Sequence, residues 1–214
     1  MKVYDFPQRS PEWYAARLGK LTASDAKHIT AFLKNGDEAA ARRDLKMRLV
    51  CERLTGQPAD EPYVNADMQR GLDLEPEAFA AYEAKTGQLV RRVGFVAHDE
   101  LMTGGSPDGV IGEFEGLVEI KAPRPANHLK YLRTGDFREH LPQITHLLWL
   151  TDARWCDFAS YCPSFPEHMR LFVARVKNGW DGGTHSKNVQ NFLEEVDLEE
   201  SSLRGWDILV KETV

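Results

Sequence analysis

Apolar positions change period several times along the chain, and each change marks an element. Ser10-Pro11-Glu12 reads as a helix start, with a capping serine, proline at the first position and an acid in the first turn. The helix carries Trp13, Tyr14 and Arg17 and ends at Gly19. Thr22-Ala23-Ser24-Asp25 has capping-box spacing and predicts a second helix. Glu38 to Leu54 is a third, with Leu45, Leu49, Val50 and Leu54 on one face and Gly56 as its stop. Glu61 to Arg70 reads as helical or irregular, and Leu74 to Thr86 as a helix with Glu75 and Pro76 in its first turn. Gln88 to His98 reads as a strand through Val90, Val93, Phe95 and Val96. Ala126 to Arg133 is a short helix. Phe137 to Leu150 is helical, with Pro142 inside it or marking its first turn. Arg154 to Tyr161 and Met169 to Val176 read as a strand hairpin with Pro163 and Pro166 in the turn. Thr184 to Trp206 reads as a terminal helix with room for a break near Asp197. This order predicts an α/β core, a central mixed sheet flanked by helices.

The stretch from Gly104 to Pro125 is the one whose pattern carries chemistry. Asp108-Gly-Val-Ile starts a strand, Gly112 to Gly116 turns the chain, and Leu117-Val-Glu-Ile-Lys121 returns. With period two, Glu119 and Lys121 project from one face while Val118 and Ile120 fill the other. The hairpin return brings Asp108 beside Glu119. Two adjacent carboxylates repel one another and bind a hard divalent cation well. A lysine beside that cation can orient or deprotonate a water. The bare pattern arises by chance about once in 200 residues, and the chain holds a decoy in Asp73 with Glu83-Ala84-Lys85. The decoy lies on a helix, where residues two apart point about 200° apart, so strand context singles out Asp108 to Lys121. Its bland alternative is a solvated hairpin with one surface ion pair.

Two further features sharpen this picture. A helix N-terminus near Thr22 offers free N–H groups to a phosphate; Arg17 could add a bidentate fork and the Ser24 hydroxyl one more bond. Asp25 opposes that use unless it points away, and a plain capped helix with a surface arginine explains the same residues. Glu75 either sits in a helix first turn, where an acid is commonplace, or leans toward the carboxylate pair. Gln143 alone is an ordinary surface glutamine.

At 214 residues the chain predicts one domain, with a core of about residues 11–176 and a helical appendage of about 180–214. The net charge of −6 counts against a nucleic-acid partner, but its distribution is uneven. Lys121, Arg124, Lys130 and Arg133 form one basic run; Arg42, Arg43, Lys46, Arg48 and Arg53 form a second, which ordinary solvated helix faces would explain equally well. The acids gather in Glu194, Glu195, Asp197, Glu199 and Glu200, a candidate contact surface or DNA-repelling face. Cys51, Cys156 and Cys162 are too few and too scattered for zinc, a disulfide framework or an iron–sulphur cluster. The histidines His98, His128, His140, His146 and His168 show no ligand spacing and read as structural. No run of 18 apolar residues and no signal-like N-terminus is found, so the expectation is a cytosolic protein with no membrane contact.

Taken in order, Arg17-Leu-Gly-Lys-Leu-Thr-Ala-Ser24, Gly71-Leu-Asp-Leu-Glu75-Pro-Glu-Ala, Ser106-Pro-Asp108-Gly, Glu119-Ile-Lys121 and Gln143 resemble the phage lambda-type exonucleases and their YqaJ-like recombinase relatives. These are a branch of the PD-(D/E)xK nuclease superfamily, and the resemblance spans roughly Pro11 to Val176. It implies a restriction-endonuclease-like core and Mg²⁺-dependent, processive 5′-to-3′ digestion of linear duplex DNA to mononucleotides and a 3′ single strand. It also implies two Mg²⁺ ions, with Mn²⁺ as a substitute, a homotrimeric ring, and a single-strand annealing protein as partner in recombination. The setting implied is the cytoplasm of a bacterial host, with a phage or prophage origin. Carried over residue by residue, Asp108, Glu119 and the main-chain carbonyl of Ile120 would hold metal. Lys121 would activate the attacking water, with its pKa lowered by the neighbouring metal. Gln143 would steady that lysine or water, Glu75 would support the metal site, and Arg17 and Ser24 would hold the 5′-terminal phosphate. A structure-specific or nicking endonuclease of the same superfamily, and a non-catalytic DNA-end-binding scaffold, are the rival readings.

Overall fold

The structure is a computed structural model that describes residues 1–59, 65–181 and 183–205. In chain order its elements are β1 (Lys2–Tyr4), α1 (Pro11–Arg17), β2 (Leu21–Thr22), a 3₁₀ segment (Ala23–His28), α2 (Ala40–Thr55), α3 (Ala66–Thr86), β3 (Phe95–Ala97), β4 (Thr103–Gly105), β5 (Gly109–Ile111), β6 (Gly116–Lys121), α4 (Pro125–Thr134), α5 (Leu141–Thr151), β7 (Trp155–Tyr161), β8 (Leu171–Lys177) and α6 (Thr184–Arg204). The fold class is α/β, as the pattern predicts.

The strands form two four-stranded sheets, β1-β3-β4-β2 and β5-β6-β7-β8. Each is mixed: β2 runs parallel to β4 and β6 parallel to β7, while the other pairs are antiparallel. The chain passes between sheets through Ser106-Pro107-Asp108. Gly104 lets β4 lie close against β3, since a Cβ there would meet the Val96 carbonyl oxygen at 2.5 Å.

Several sequence expectations change in detail. The strand expected from Gln88 shrinks to Phe95–Ala97, with Arg91 joined to Val110 by an isolated bridge. Val90 and Val93 are three apart, out of phase for one strand face. The helix expected at Thr22 is a 3₁₀ segment without a side-chain cap, because the Thr22 hydroxyl donates to the Asp25 carboxylate at 2.7 Å. Pro142 does mark the first turn of α5, preceded by a 3₁₀ turn at Arg138–His140. Helix α3 starts at Ala66 and contains Pro76, so Glu75 sits in its interior rather than its first turn. The expected helical or irregular stretch from Glu61 falls partly on residues 60–64, outside the described residues. Helix α6 runs unbroken through Asp197, and Trp206 lies outside the described residues.

Strand β6 is apolar on one side against α3, where Val118 and Ile120 pack with Phe79 and Tyr82. Its Leu117 packs on the other side with Ile144 and Leu147 of α5. A third apolar cluster joins α2 to α6 through Leu49, Val189 and Phe192. Among the described residues no helix is long and apolar enough to cross a membrane.

Ion pairs overlay the α2–α6 contact. Arg42, only 3% exposed, forks onto Glu195 at 2.8 and 2.9 Å, and Lys46 binds Glu38. Arg53 reaches Asp197 at 2.6 Å and Glu200 at 3.5 Å. The second basic cluster and part of the acidic stretch therefore neutralise each other within the chain. The first basic run is also largely engaged, with Arg124 on Asp67, Lys130 near Glu139 and Lys121 on Glu119.

His146 on α5 is wholly buried, bonding the Thr103 hydroxyl through Nε2 and His185 of α6 through Nδ1, each at 3.1 Å. Burial lowers its pKa to about 3 and also pulls His185 down. The folded state thus binds these protons more weakly than the unfolded chain, where histidine titrates near 6.5. Stability is complete above about pH 6.5 and falls as pH drops toward the folded value, by at most about 1.4 kcal/mol per pH unit for each histidine. Urea midpoints between pH 7.5 and 5 are expected to fall in wild type, with a shallower slope in His146→Gln.

Candidate active site

The β5–β6 register pairs Gly109 with Val118, which sets Asp108 at the strand mouth opposite Glu119. Asp108 Oδ2 accepts the Ile120 N–H at 2.8 Å, so the carboxylate is tied to the strand it faces. Glu119 is wholly buried. Its Oε1 accepts from Lys121 Nζ, and among the described residues its Oε2 has no hydrogen-bond partner. The Gln143 amide is near enough to favour the carboxylate form, although it falls outside hydrogen-bond geometry to that oxygen. The Lys121 side chain is 33% exposed and faces a cleft of about 830 Å³ that Asp108, Ile120 and Glu75 also line.

Electrostatics follow from this packing. Burial raises the Glu119 pKa, Asp108 raises it further, and Lys121 opposes both. Burial pulls the Lys121 ammonium down, but Glu119 and Asp108 outweigh it and hold it above its ordinary value. The lowering expected from a neighbouring metal is thus not a property of the metal-free carboxylate pair.

A buried carboxylate with an orphaned oxygen, a second carboxylate across the hairpin and an open cleft beside them fit a hard divalent cation. Among the described residues no group of three or more His, Cys, Asp or Glu side chains comes together to hold a metal. Asp108 and Glu119 would therefore hold it with the Ile120 carbonyl and waters. Glu75 lines the same cleft but is ion-paired to Arg92 at 2.9 Å.

Arg17 and Ser24 do not line this cleft. The Arg17 guanidinium lies over the Trp13 ring at 4.0 Å and has no hydrogen bond or ion pair among the described residues. Burial lowers its pKa to about 10, which still leaves the guanidinium charged at neutral pH. Ser24 is exposed, 3.0 Å from the Thr22 hydroxyl. Asp25 is turned onto Arg48 at 2.8 Å. The turn between Arg17 and Ser24 is clamped by α2: the Gly19 N–H donates to Glu52, and Arg53 donates to the Gly19 carbonyl, both at 2.9 Å.

Some members of the site carry no readable sequence signal. Trp13 Nε1 donates to the Ser106 hydroxyl at 2.9 Å and so joins the arginine platform to the turn that carries Asp108. Gln8 Nε2 donates to the Pro107 carbonyl at 3.3 Å. Tyr131 donates to Glu139 at 2.6 Å and bonds His140 Nε2 at 2.9 Å, all three lining the cleft. His140 is lowered to about 4, first by burial and then by the charge on Lys121, so it is neutral there. These contacts cross elements, and no spacing announces them.

The family of the YqaJ-like viral recombinase domain matches residues 12–154, well over half of the chain. The chain belongs to that family. This YqaJ-like chain is also similar to a solved alkaline exonuclease, LHK-Exo from Laribacter hongkongensis, at 37% identity and a TM-score of 0.81, over 91% of this chain and 96% of that one. The same figures hold for LHK-Exo solved in complex with dAMP. A phage-related exonuclease from Haemophilus somnus 129PT shares the fold at 14% identity and a TM-score of 0.67, over 86% of this chain and 96% of that one. Comparison with curated proteins gives no match.

Glu119→Gln removes the buried charge while keeping the shape. Without metal, its thermal midpoint is expected to equal or exceed wild type, since the desolvated carboxylate is gone. Mg²⁺ or Mn²⁺ at about 100 times its dissociation constant is expected to stabilise wild type by about 2.7 kcal/mol and to leave Glu119→Gln unshifted. Thermal unfolding with and without each ion checks both statements.

Proposed function

We propose that the chain is a metal-dependent 5′-to-3′ exonuclease that degrades linear double-stranded DNA to mononucleotides and leaves a 3′ single strand for recombination by strand annealing. One observation carries this reading: the buried Glu119, with an oxygen unpartnered among the described residues, stands beside Asp108 and Lys121, which line an open cleft. The similarity to an alkaline exonuclease along nearly the whole chain supports it.

Mg²⁺ is the cation the oxygen donors favour, as one ion or two, with Mn²⁺ as a substitute. When bound, it supplies charge neutralisation at the phosphoryl group and a more acidic water. Asp108, Glu119 and the Ile120 carbonyl would hold it. Lys121 orients the attacking water toward the phosphorus and, in its neutral form, accepts the proton that the water loses. With the carboxylates' charge offset, the lysine no longer has the electrostatic reason that keeps its proton bound. Gln143 steadies Lys121 and Glu119. Glu75, held by Arg92, reaches the site through water.

Arg17 and Ser24 take the 5′-terminal phosphate. An arginine stacked in place with all its donors free is already oriented for such an anion, and only a strand end presents one. The catalytic core is residues 11–176 within one domain. The protein works as a homotrimeric ring in the bacterial cytoplasm and hands its product to an annealing protein.

The test is incubation with Mg²⁺ on 5′-phosphorylated linear duplex and on closed circular duplex. Loss of the linear DNA alone, with mononucleotides released, is expected. Lys121→Ala is expected to lower turnover about 10³-fold. Arg17→Ala is expected to erase the preference for 5′-phosphorylated over 5′-hydroxyl ends. Cutting of the circle makes the protein an endonuclease, and binding without turnover makes it a scaffold.

A further inference from the structure

The segment from Asp5 to Arg9 runs along the mouth of the catalytic cleft and lines it. It ends in a tight turn closed by the Ser10 N–H on the Pro7 carbonyl at 3.0 Å. Gln8 pins this turn to the cleft wall, donating to the carbonyls of Val93 and Pro107 at 3.2 and 3.3 Å. Ser10 then caps α1, accepting from Trp13 N–H at 3.2 Å. The turn is held from both sides, so its third residue has little freedom.

That third residue is Arg9, at φ 73°. A turn that needs positive φ at this position selects glycine or asparagine. Arginine has neither the missing Cβ of the first nor the short amide of the second, and it sits there under strain. Nothing described within the chain compensates. Arg9 is exposed and has no hydrogen bond or ion pair among the described residues.

The charges around the cleft give this residue a role. Asp5, Asp67, Glu75, Asp108 and Glu139 line it, an unwelcoming surface for a polyanion. Among the described residues three cations line it as well. Arg92 is engaged by Glu75 and Lys121 by Glu119, while Arg9 has its donors free. Net charge elsewhere does not substitute, because most of the basic residues of α2 are paired.

We infer that Arg9 is a DNA-backbone contact, a free guanidinium carried on a held turn that lines the cleft, where it binds a phosphate of the strand entering the site. It acts on any sequence, since phosphate contacts position without reading bases. The inference rests on the reading of the cleft as a DNA site and adds to it a specific residue of the entry path.

Salt dependence separates a phosphate contact from a bystander. Binding of a fluorescent 5′-phosphorylated duplex is measured by anisotropy over a KCl series in Mg²⁺, using the turnover-deficient Lys121→Ala protein as the reference. Adding Arg9→Gly is expected to weaken binding and to reduce the slope of log K against log salt by about 0.9, the value for one released counterion. Adding Arg9→Lys is expected to keep the slope, because the charge remains. The thermal midpoint with Arg9→Gly is expected to match or exceed the reference, because glycine relieves the strained turn. Weaker binding at an undiminished midpoint is therefore not a folding defect. An unchanged slope with Arg9→Gly overturns the inference and leaves the exonuclease reading standing. A reference protein that binds no DNA overturns both.

Discussion

The Glu119 carboxylate is wholly desolvated, and one of its oxygens has no partner. Leaving a charged acceptor in that condition costs on the order of several kcal/mol, and the surrounding architecture shows how the fold tolerates it. Strand β6 is flanked by β5 and by the parallel β7, so its backbone is fixed on both edges. Lys121 returns along the same strand face to bond one oxygen. Asp108 holds the next peptide N–H of β6, which prevents the hairpin from opening to relieve the repulsion. The site stores unfavourable electrostatics that a divalent cation would relieve. Stability without metal and affinity for metal are thus set against each other in one side chain.

The second constraint lies in the ion pairs between α2 and α6. Arg53 binds Asp197 and Glu200 with its guanidinium and the Gly19 carbonyl with Nε, and the adjacent Glu52 binds the Gly19 N–H. The loop between Arg17 and Ser24 is therefore anchored by both its backbone groups at Gly19 to a helix that is itself locked to the C-terminal helix. Acidic residues that look like a surface feature in the sequence serve, through α2, to fix the position of a candidate phosphate-binding loop.

What was legible in the sequence follows its physics. Period two is a local rule, so Glu119 and Lys121 could be placed on one face, and a hairpin between glycines could be expected to bring Asp108 opposite. The Glu83-Ala84-Lys85 decoy could be set aside because it does lie on a helix. Basic runs were harder. Arg42 and Glu195 are 153 residues apart, and no local pattern reports a pairing over that distance. The lack of ligand spacing marks His146 as structural, but its bonds to Thr103 and His185 depend on where β4 and α6 pack. Glu75 lies in the cleft, yet its partner Arg92 comes from the part of the expected Gln88–His98 strand that lies ahead of β3 and forms only an isolated bridge at Arg91. Local rules placed the residues on their elements, and the sheet order decided which of them meet.

Trp13 draws the two halves of the proposed site into one mechanical unit. Its ring is the platform for Arg17, and its Nε1 bonds both the Gly94 carbonyl and the Ser106 hydroxyl. Ser106 lies two residues before Asp108, and Pro107 between them receives the Gln8 amide. The start of α1 thus reaches the turn before β5 through two side chains, Gln8 ahead of the helix and Trp13 within it. A shift of this turn would move Asp108 relative to Glu119 and would tilt the arginine platform in the same motion. The groups proposed to take a strand end and the carboxylate pair therefore share supports. An enzyme that must cut next to an end has reason to build them together, because a phosphate held at Arg17 has a fixed relation to the bond facing Lys121 only if the wall between them is rigid.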